Sequence, residues 1–317
     1  MDIARMIKFF LLFVVLVTIE TAAMCYLWTT EYSAAPPAEN GQEQQISCEI
    51  QETAPDREDV LTRIRGILGE EDASFSVYVL RPSKEKEPIV YNSNPLPPAS
   101  MIKLFVMAKA MQDVKDGKGT LDDTIILREK DMVGGAGVLV EYADGTRIPL
   151  RKVIELMITE SDNTATNILI DRIGMNNLNL YLKENGYTDT VFRHKMMHSP
   201  RDRRQGNLSS VKDIGLLLNR IYRGECVGTP YDTLMIGFLA LQKDDECFPK
   251  ALPTWRIAHK TGEAHGFYDD GGIFYDKEGR FILVIMNAEY SGRSIAIRKM
   301  QEIARYVGET VTIANGG

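Results

Sequence analysis

The 317-residue sequence has only four cysteines and four histidines, and it contains no run of five lysines or arginines. Scattered cysteines without a C-x-x-C spacing make neither a disulfide scaffold nor a zinc ribbon. His194 and His198 stand four apart but lack the glutamate of H-E-x-x-H, so no metal is expected. The phosphate-binding pattern G-x-x-x-x-G-K-[ST] is also missing. Gly134, Gly135 and Gly137 therefore read as a tight loop, and no cofactor is expected. With 37 basic against 44 acidic residues the net charge is -7. Nucleic acid, whose binding rests on phosphate neutralisation, is excluded as a partner. Internal repeats are absent too. What remains is ordinary globular composition, 44% hydrophobic and 26% charged, in a chain long enough to bury a core and hold a cleft.

The first residues depart from that average. Arg5 and Lys8 precede an apolar run from Phe9 to Ile19, then Glu20 and a second apolar stretch to Trp28. A basic start before an apolar run is the pattern of an export signal, and 9–28 taken whole has the ~20 residues of a single anchor. Residues 1–28 are thus expected to be a signal peptide or a signal anchor. The protein would then be extracytoplasmic, held at the membrane through 9–28 or secreted after cleavage. Residues 29–55 are rich in Ala, Pro, Glu, Gln and Ser and read as a linker too polar to order itself. Residues 1–50 carry Arg5 and Lys8 against six acidic groups, which is over half of the net acidity. The folded domain, 56–317, is nearly balanced in charge and is expected to be a monomer.

Within it, the apolar spacing predicts a helix over 57–68 and a hairpin of strands 74–80 and 88–93. Helices are predicted at 100–115, 149–160, 164–173 and 209–223. Strands return at 255–262, 270–276 and 280–287, and a last helix, 294–307, puts Ile295, Met300, Ile303, Ala304 and Val307 on one face. Strands early, helices in the middle, strands late and a helix last make an α+β fold. Both chain ends complete one antiparallel sheet, with an all-helical lobe inserted. A pocket belongs at the seam.

Chemistry gathers there. Pro97, Pro98 and Ala99 place Ser100 at a helix start, where free N–H groups and the helix dipole can stabilise an oxyanion. Lys103 lies one turn on, among Ile102, Leu104, Phe105 and Val106. Desolvation there lowers an ammonium's affinity for its proton, so the amine can activate the hydroxyl. Taken singly, S-x-x-K is common, Ser161-Asp162-Asn163 is an ordinary helix cap, and Lys260-Thr261-Gly262 is an ordinary strand end. Taken together and in order, they are the signature of class A β-lactamases and penicillin-binding proteins.

The stretch Leu156 to Gly174 (LMITESDNTATNILIDRIG) and the segment Val133 to Leu139 (VGGAGVL) also resemble that family. The resemblance spans roughly Asp56 to Val307. It implies a five-stranded antiparallel sheet flanked by helices, with the helical lobe beside it. It implies Ser100 as nucleophile, Lys103 as a base for acylation and Ser161 as the proton donor to the leaving nitrogen. Asn163 would bind the substrate amide and Lys103, and Asp162 would be structural. Lys260 and Thr261, in the K-T-G that Gly262 completes, would hold the substrate carboxylate. The oxyanion hole would be the N–H groups of Ser100 and Glu263. An acidic side chain at 263 is unusual and would disfavour an anionic substrate.

One departure matters more. Class A enzymes carry a loop glutamate that activates the deacylating water, whereas 192–207 (FRHKMMHSPRDRRQGN) contains none. Met196 or Met197 falls near its position; His194, His198 and Asp202 are the local substitutes. Without a general base that step loses about 10²–10⁴-fold. Three readings follow: a β-lactamase-like hydrolase with slow deacylation, a penicillin-binding D,D-peptidase acting on peptidoglycan stem peptides, and a non-catalytic covalent sensor. The partner is a β-lactam or a peptidoglycan peptide. Of the cysteines, Cys25 and Cys48 precede the domain, and a bridge between Cys226 and Cys247 is the remaining hypothesis.

Overall fold

The computed structural model describes residues 55–315 except 199–204, 278, 289 and 291. The apolar run 9–28, the linker up to residue 54, Cys25, Cys48 and Asp202 lie outside the described residues. Among the described residues, no helix is long and apolar enough to cross a membrane.

Helix α1 (Arg57–Leu68) opens the domain, capped by Asp56 in a capping box with Asp59. Strands β1 (Phe75–Leu80) and β2 (Ile89–Tyr91) follow as the expected antiparallel pair. The chain then leaves the sheet. A 3₁₀ turn, Ala99–Ile102, leads into α2 (Lys103–Lys115), whose first nine residues are all buried. A two-stranded ribbon of β3 (Thr124–Ile126) and β4 (Arg147–Pro149) precedes α3 (Leu150–Thr159) and α4 (Asn163–Ile173). Three more helices complete the inserted segment: α5 (Met175–Glu184), α6 (Val211–Arg223) and α7 (Tyr231–Leu239).

The chain then returns through the short α8 (Phe248–Ala251) to β5 (Arg256–Ala264), β6 (Phe267–Asp276) and β7 (Gly279–Asn287), and ends in α9 (Arg293–Asn315). The sheet runs β2-β1-β7-β6-β5, antiparallel throughout. Its β1–β7 junction joins the two ends of the domain. The α+β expectation, with five antiparallel strands and inserted helices, is what is found.

Sheet and helices meet through two layers. On one side α1 and α9 bury Val60, Ile64 and Leu68 with Met300, Ile303 and Val307 over the sheet. Burial of such side chains stabilises by about 1.5–3 kcal/mol each. On the other side α6 packs against β1, β6 and β7. Gly215 allows the approach, since a Cβ there would lie 2.6 Å from the Tyr78 ring.

Several expectations are corrected. Of the expected face of α9, Met300, Ile303, Ala304 and Val307 are buried but Ile295 is 36% exposed, and Ala296 and Ile297 are buried in its place. Strands β5 and β6 extend further than expected, to a two-residue turn at His265 and Gly266. The Asp269-Asp270 pair, of which only Asp270 falls in the expected strand 270–276, is fully buried in β6. Asp269 accepts from Asn287 N–H at 2.9 Å through Oδ1 while its Oδ2 is buried with no hydrogen-bond partner among the described residues, and Asp270 lies 2.9 Å from His259 Nδ1 and accepts from Phe248 N–H at 3.3 Å. Cys226 and Cys247 are both free thiols. Cys226 stands 3.9 Å from the Tyr181 hydroxyl in the helical lobe, whereas Cys247 belongs to the sheet-side core, so different packing environments separate them.

Asp162 ties the lobe together. It caps α4 through Ala165 N–H (2.8 Å) and also accepts from Val138 (2.7 Å) and Leu139 (2.8 Å), holding the glycine loop down. Gly137, at φ +119, is required there because a Cβ would sit 2.3 Å from the Asp162 carboxylate. Asp162→Ala is expected to cost about 3 kcal/mol or more in urea unfolding, since buried N–H groups lose their acceptor. The exposed cap variant Asp56→Ala serves as comparison and should cost less; an equal or larger loss there would contradict this role for Asp162.

Candidate active site

The site lies where α2, the α3–α4 junction and β5 converge. Ser100 sits, partly exposed, on the 3₁₀ turn, one turn before Lys103 at the head of α2. The Lys103 ammonium position is enclosed. Its Nζ donates to the Ser161 carbonyl and to Asn163 Oδ1 (2.9 Å), and lies 3.1 Å from Ser161 Oγ. From the opposite side Lys260 Nζ reaches the same Ser161 Oγ at 3.1 Å and donates to the Thr261 carbonyl at 2.8 Å. One hydroxyl thus bridges two buried lysines.

That arrangement fixes the charges. Burial pushes Lys103 well below the ordinary lysine value, and the neighbouring Lys260 pushes it further, against the opposing pull of Asp162. Burial also lowers Lys260, to about 7; Asp244 and Asp270 pull it back up. Two cations sharing one hydroxyl in a dry site repel, so charging both lysines at once is disfavoured, and Lys103 is pushed towards the neutral amine by burial and by Lys260. Ser161 can then accept from the cation and donate to the amine. This is a directed proton path.

Gly262 and Thr261 enter through the strand. A Cβ on Gly262 would lie 2.8 Å from the Pro98 carbonyl and 3.1 Å from Met101 N, so β5 presses directly on the turn that bears Ser100. As the outermost strand, β5 leaves one edge unpaired within the sheet. Glu263 takes a different course from its expected role. Its carboxylate pairs with Arg293 at the start of α9, Nε–Oε1 2.6 Å and Nη2–Oε2 3.0 Å. The charge expected to repel an anionic substrate is therefore partly offset.

The backbone is strained around this site. Ala99 (φ +40), Ser161 (φ +52) and Met197 (φ +64) are non-glycine residues in the left-handed region. Each costs of order 1–3 kcal/mol and persists because its surroundings over-determine it. At Ser161 the result is that carbonyl and hydroxyl both face lysines.

The loop after the lobe is held by amide clasps. Asn179 exchanges hydrogen bonds with Phe192, and Asn167 with Met196, pairing backbone N–H and C=O in each case. Asn207 accepts from Arg193 N–H and donates to the His194 carbonyl. His194 is not available as a base: Nδ1 meets the Lys195 carbonyl at 2.9 Å and Nε2 accepts from Asn207 N–H at 3.1 Å. His198 is exposed, with Nδ1 on the Met196 carbonyl at 2.8 Å. Met197 holds the site-facing position. A Cβ on Gly135 would lie 2.6 Å from Asn163 Nδ2 and 3.0 Å from Met197 Sδ, so the thioether stands beside Asn163.

Sequence reasoning brought Ser100, Lys103, Ser161, Asn163 and Lys260 to one place. It missed Arg293 and the carboxyls of half-buried Asp244 and buried Asp270 that support Lys260. Nothing local marks these three; strand register and the entry of α9 bring them in.

Known proteins share this architecture. The profile of the Beta-lactamase enzyme family matches residues 59–311. The chain is 27% identical to beta-lactamase BRO-1 of Moraxella catarrhalis, over 68% of this chain and 71% of that one. It is 24% identical to extended-spectrum beta-lactamase PER-1 of Pseudomonas aeruginosa, over 73% and 80%. Among solved structures, a beta-lactamase from Sphaerobacter thermophilus superposes with TM-score 0.74 at 24% identity, covering 81% of this chain and 98% of that one. PBP-A superposes at 0.71 and 24%, covering 79% and 94%.

The depressed Lys260 has a measurable signature. Between about 7 and the ordinary 10.5, the unfolded chain holds a proton that folded Lys260 lacks, so raising pH across that window favours the folded state. Below about 7 both states hold it and the contribution is flat. The stability of the wild type relative to Lys260→Met should therefore rise from about pH 7 towards pH 9 in urea titrations. A flat difference over that window would contradict the depressed lysine.

Proposed function

The chain belongs to the Beta-lactamase enzyme family of serine hydrolases, and from that premise we propose that it opens β-lactam rings through a Ser100 acyl-enzyme that is released slowly. The observation that carries this reading is the Lys103–Ser161–Lys260 bridge, beside a loop whose site-facing side chain is a thioether.

Neutral Lys103 takes the Ser100 proton as Oγ bonds to the lactam carbonyl carbon. Negative charge then collects on the carbonyl oxygen, where the N–H groups of Ser100 and Glu263 stabilise it. As the C–N bond breaks, the ring nitrogen takes a proton from Ser161, which is replenished from the lysine pair. Lys260 and Thr261 anchor the substrate carboxylate by a charge-assisted contact, and Asn163 holds the side-chain amide. Hydrolysis of the ester needs a water stripped of its proton. Met197 cannot accept one, and the His194 ring is committed to the loop backbone.

The same observation favours a second reading, a penicillin-binding D,D-peptidase that acylates on peptidoglycan stem peptides. One structure similar to this chain is a PBP-A mutant solved as an acyl-enzyme complex with penicillin G. Release of D-alanine from a pentapeptide would select this reading over the first.

Intact-mass time courses with benzylpenicillin should show an adduct that persists and is lost in Ser100→Ala. Placing a carboxylate at the thioether, Met197→Glu, should shorten adduct lifetime by roughly tenfold or more, within the range a general base provides. Rapid turnover without accumulation in the wild type would overturn slow release, and no adduct at all would overturn the serine mechanism.

A further inference from the structure

Arg293 is bound on three sides. Besides Glu263 it grips Glu246, Nη1–Oε1 3.0 Å and Nη2–Oε2 2.8 Å, and its guanidinium lies 5.1 Å over the Tyr268 ring. Tyr268 is the cross-strand partner of Glu263 in β5–β6, so the cluster sits on the end of the strand that carries Lys260 and Thr261. Its charges do not cancel. Two carboxylates share one guanidinium, leaving one net negative charge, and Glu263 and Arg293 are 44% and 38% exposed. Two paired carboxylates saturate most of the guanidinium's donors, so Arg293 has little left to offer a substrate anion.

Glu263 is also two residues along the strand from Thr261, about 7 Å away and on the same face. That is within the ~10 Å over which charges act at 0.1 M salt.

We infer that the Glu263–Arg293–Glu246 cluster selects substrates by the charge of the group attached to the scissile carbonyl, favouring a cationic group and disfavouring a second anion. The inference rests on the acyl-enzyme reading, in which the carbonyl lies against the N–H of residue 263. The carboxylate held at Lys260 and Thr261 is common to all such substrates, so the substituent on that carbonyl is the part whose charge the cluster can discriminate. Glu263 supplies the discrimination; Arg293 is a positioning residue that holds its carboxylate on the strand end and halves the field. The two therefore act with opposite sign. Removing the carboxylate should flatten the preference, and removing the guanidinium should sharpen it.

Three penicillins with one nucleus test this: ampicillin, benzylpenicillin and carbenicillin, whose side chains carry an ammonium, no charge and a carboxylate at the same carbon. Second-order acylation rates are measured by intact mass at low salt, and the ampicillin-to-carbenicillin ratio is taken within each protein so that general damage cancels. The wild-type ratio should exceed one. It should fall about threefold or more towards one in Glu263→Gln, rise in Arg293→Gln, and shrink in every protein at 1 M salt, where the screening length is about 3 Å. Melting curves of Glu263→Gln and of the milder Arg293→Lys control for folding. Adducts that form with a ratio near one in the wild type, or with a ratio untouched by Glu263→Gln, overturn this inference alone. Absence of any adduct overturns the acyl-enzyme reading and the inference with it.

Discussion

Everything in this molecule is organised around the Ser161 hydroxyl and the two lysines that meet on it. A lysine at the head of α2 and a lysine in the middle of the edge strand β5 can share one oxygen only if the lobe and the strand are held close enough for both Nζ atoms to lie 3.1 Å from it. Both amines are removed from water, which alone costs each of them its ordinary affinity for a proton. Because they share a partner, they settle into unlike states. The site therefore contains a base and a cation of the same residue type, distinguished by surroundings: Asp244 and Asp270 stand on the Lys260 side, Lys260 itself on the Lys103 side.

The supporting structure explains residues that do no chemistry. Ser161 must adopt a left-handed backbone to present carbonyl and hydroxyl together, and the next residue, Asp162, pins that turn by capping α4 and gripping the glycine loop. Gly135 and Gly137 let the loop approach closely enough to be gripped. Behind β5, His259 and Asp270 form a buried pair at 2.9 Å on the face opposite Lys260, so a carboxylate reaches the lysine's neighbourhood without touching it.

Much of this was legible in the sequence. Helical spacing located α1, α3, α4 and α6, and strand patterning located both hairpins; the order S-x-x-K, S-D-N, K-T-G named the network. The failures have specific causes. Helix α5 follows α4 directly after Gly174, which reads as a stop, and α7 is too uniformly apolar to show a period. The strand expected from 270 begins instead at Phe267 because a buried carboxyl at Asp269 violates the pattern that strand reading relies on; the partners of Asp269 and Asp270, Asn287 and His259, come from neighbouring strands. Ile295 fits a helical face numerically, but the rotation of α9 is set by packing against α1 and the sheet, which no local pattern encodes. Arg293 was invisible for a similar reason: its meaning comes from two carboxylates 30 and 47 residues away.

If the acyl-enzyme reading proposed above holds, the loop 192–198 puts the two halves of the cycle on separable parts. The groups this reading uses as nucleophile, base and proton donor, Ser100, Lys103 and Ser161, stand on the 3₁₀ turn, the head of α2 and the α3–α4 turn, not on the loop. The loop has its own anchors in Asn167, Asn179 and Asn207, each satisfying backbone groups that would otherwise be buried without partners. A side chain there can change from proton acceptor to thioether without loosening anything that forms the ester. Nor has the loop relaxed in exchange. Met197 keeps a left-handed backbone, a conformation that costs free energy in any residue with a Cβ. A loop freed from all constraint would shed that cost by adopting an ordinary turn. Its retention means that the clasps dictate the backbone and the side chain merely occupies the place they define. On the acyl-enzyme reading proposed above, what occupies that place would set the lifetime of the ester, while the lysine bridge, on other elements, would set the rate at which it forms.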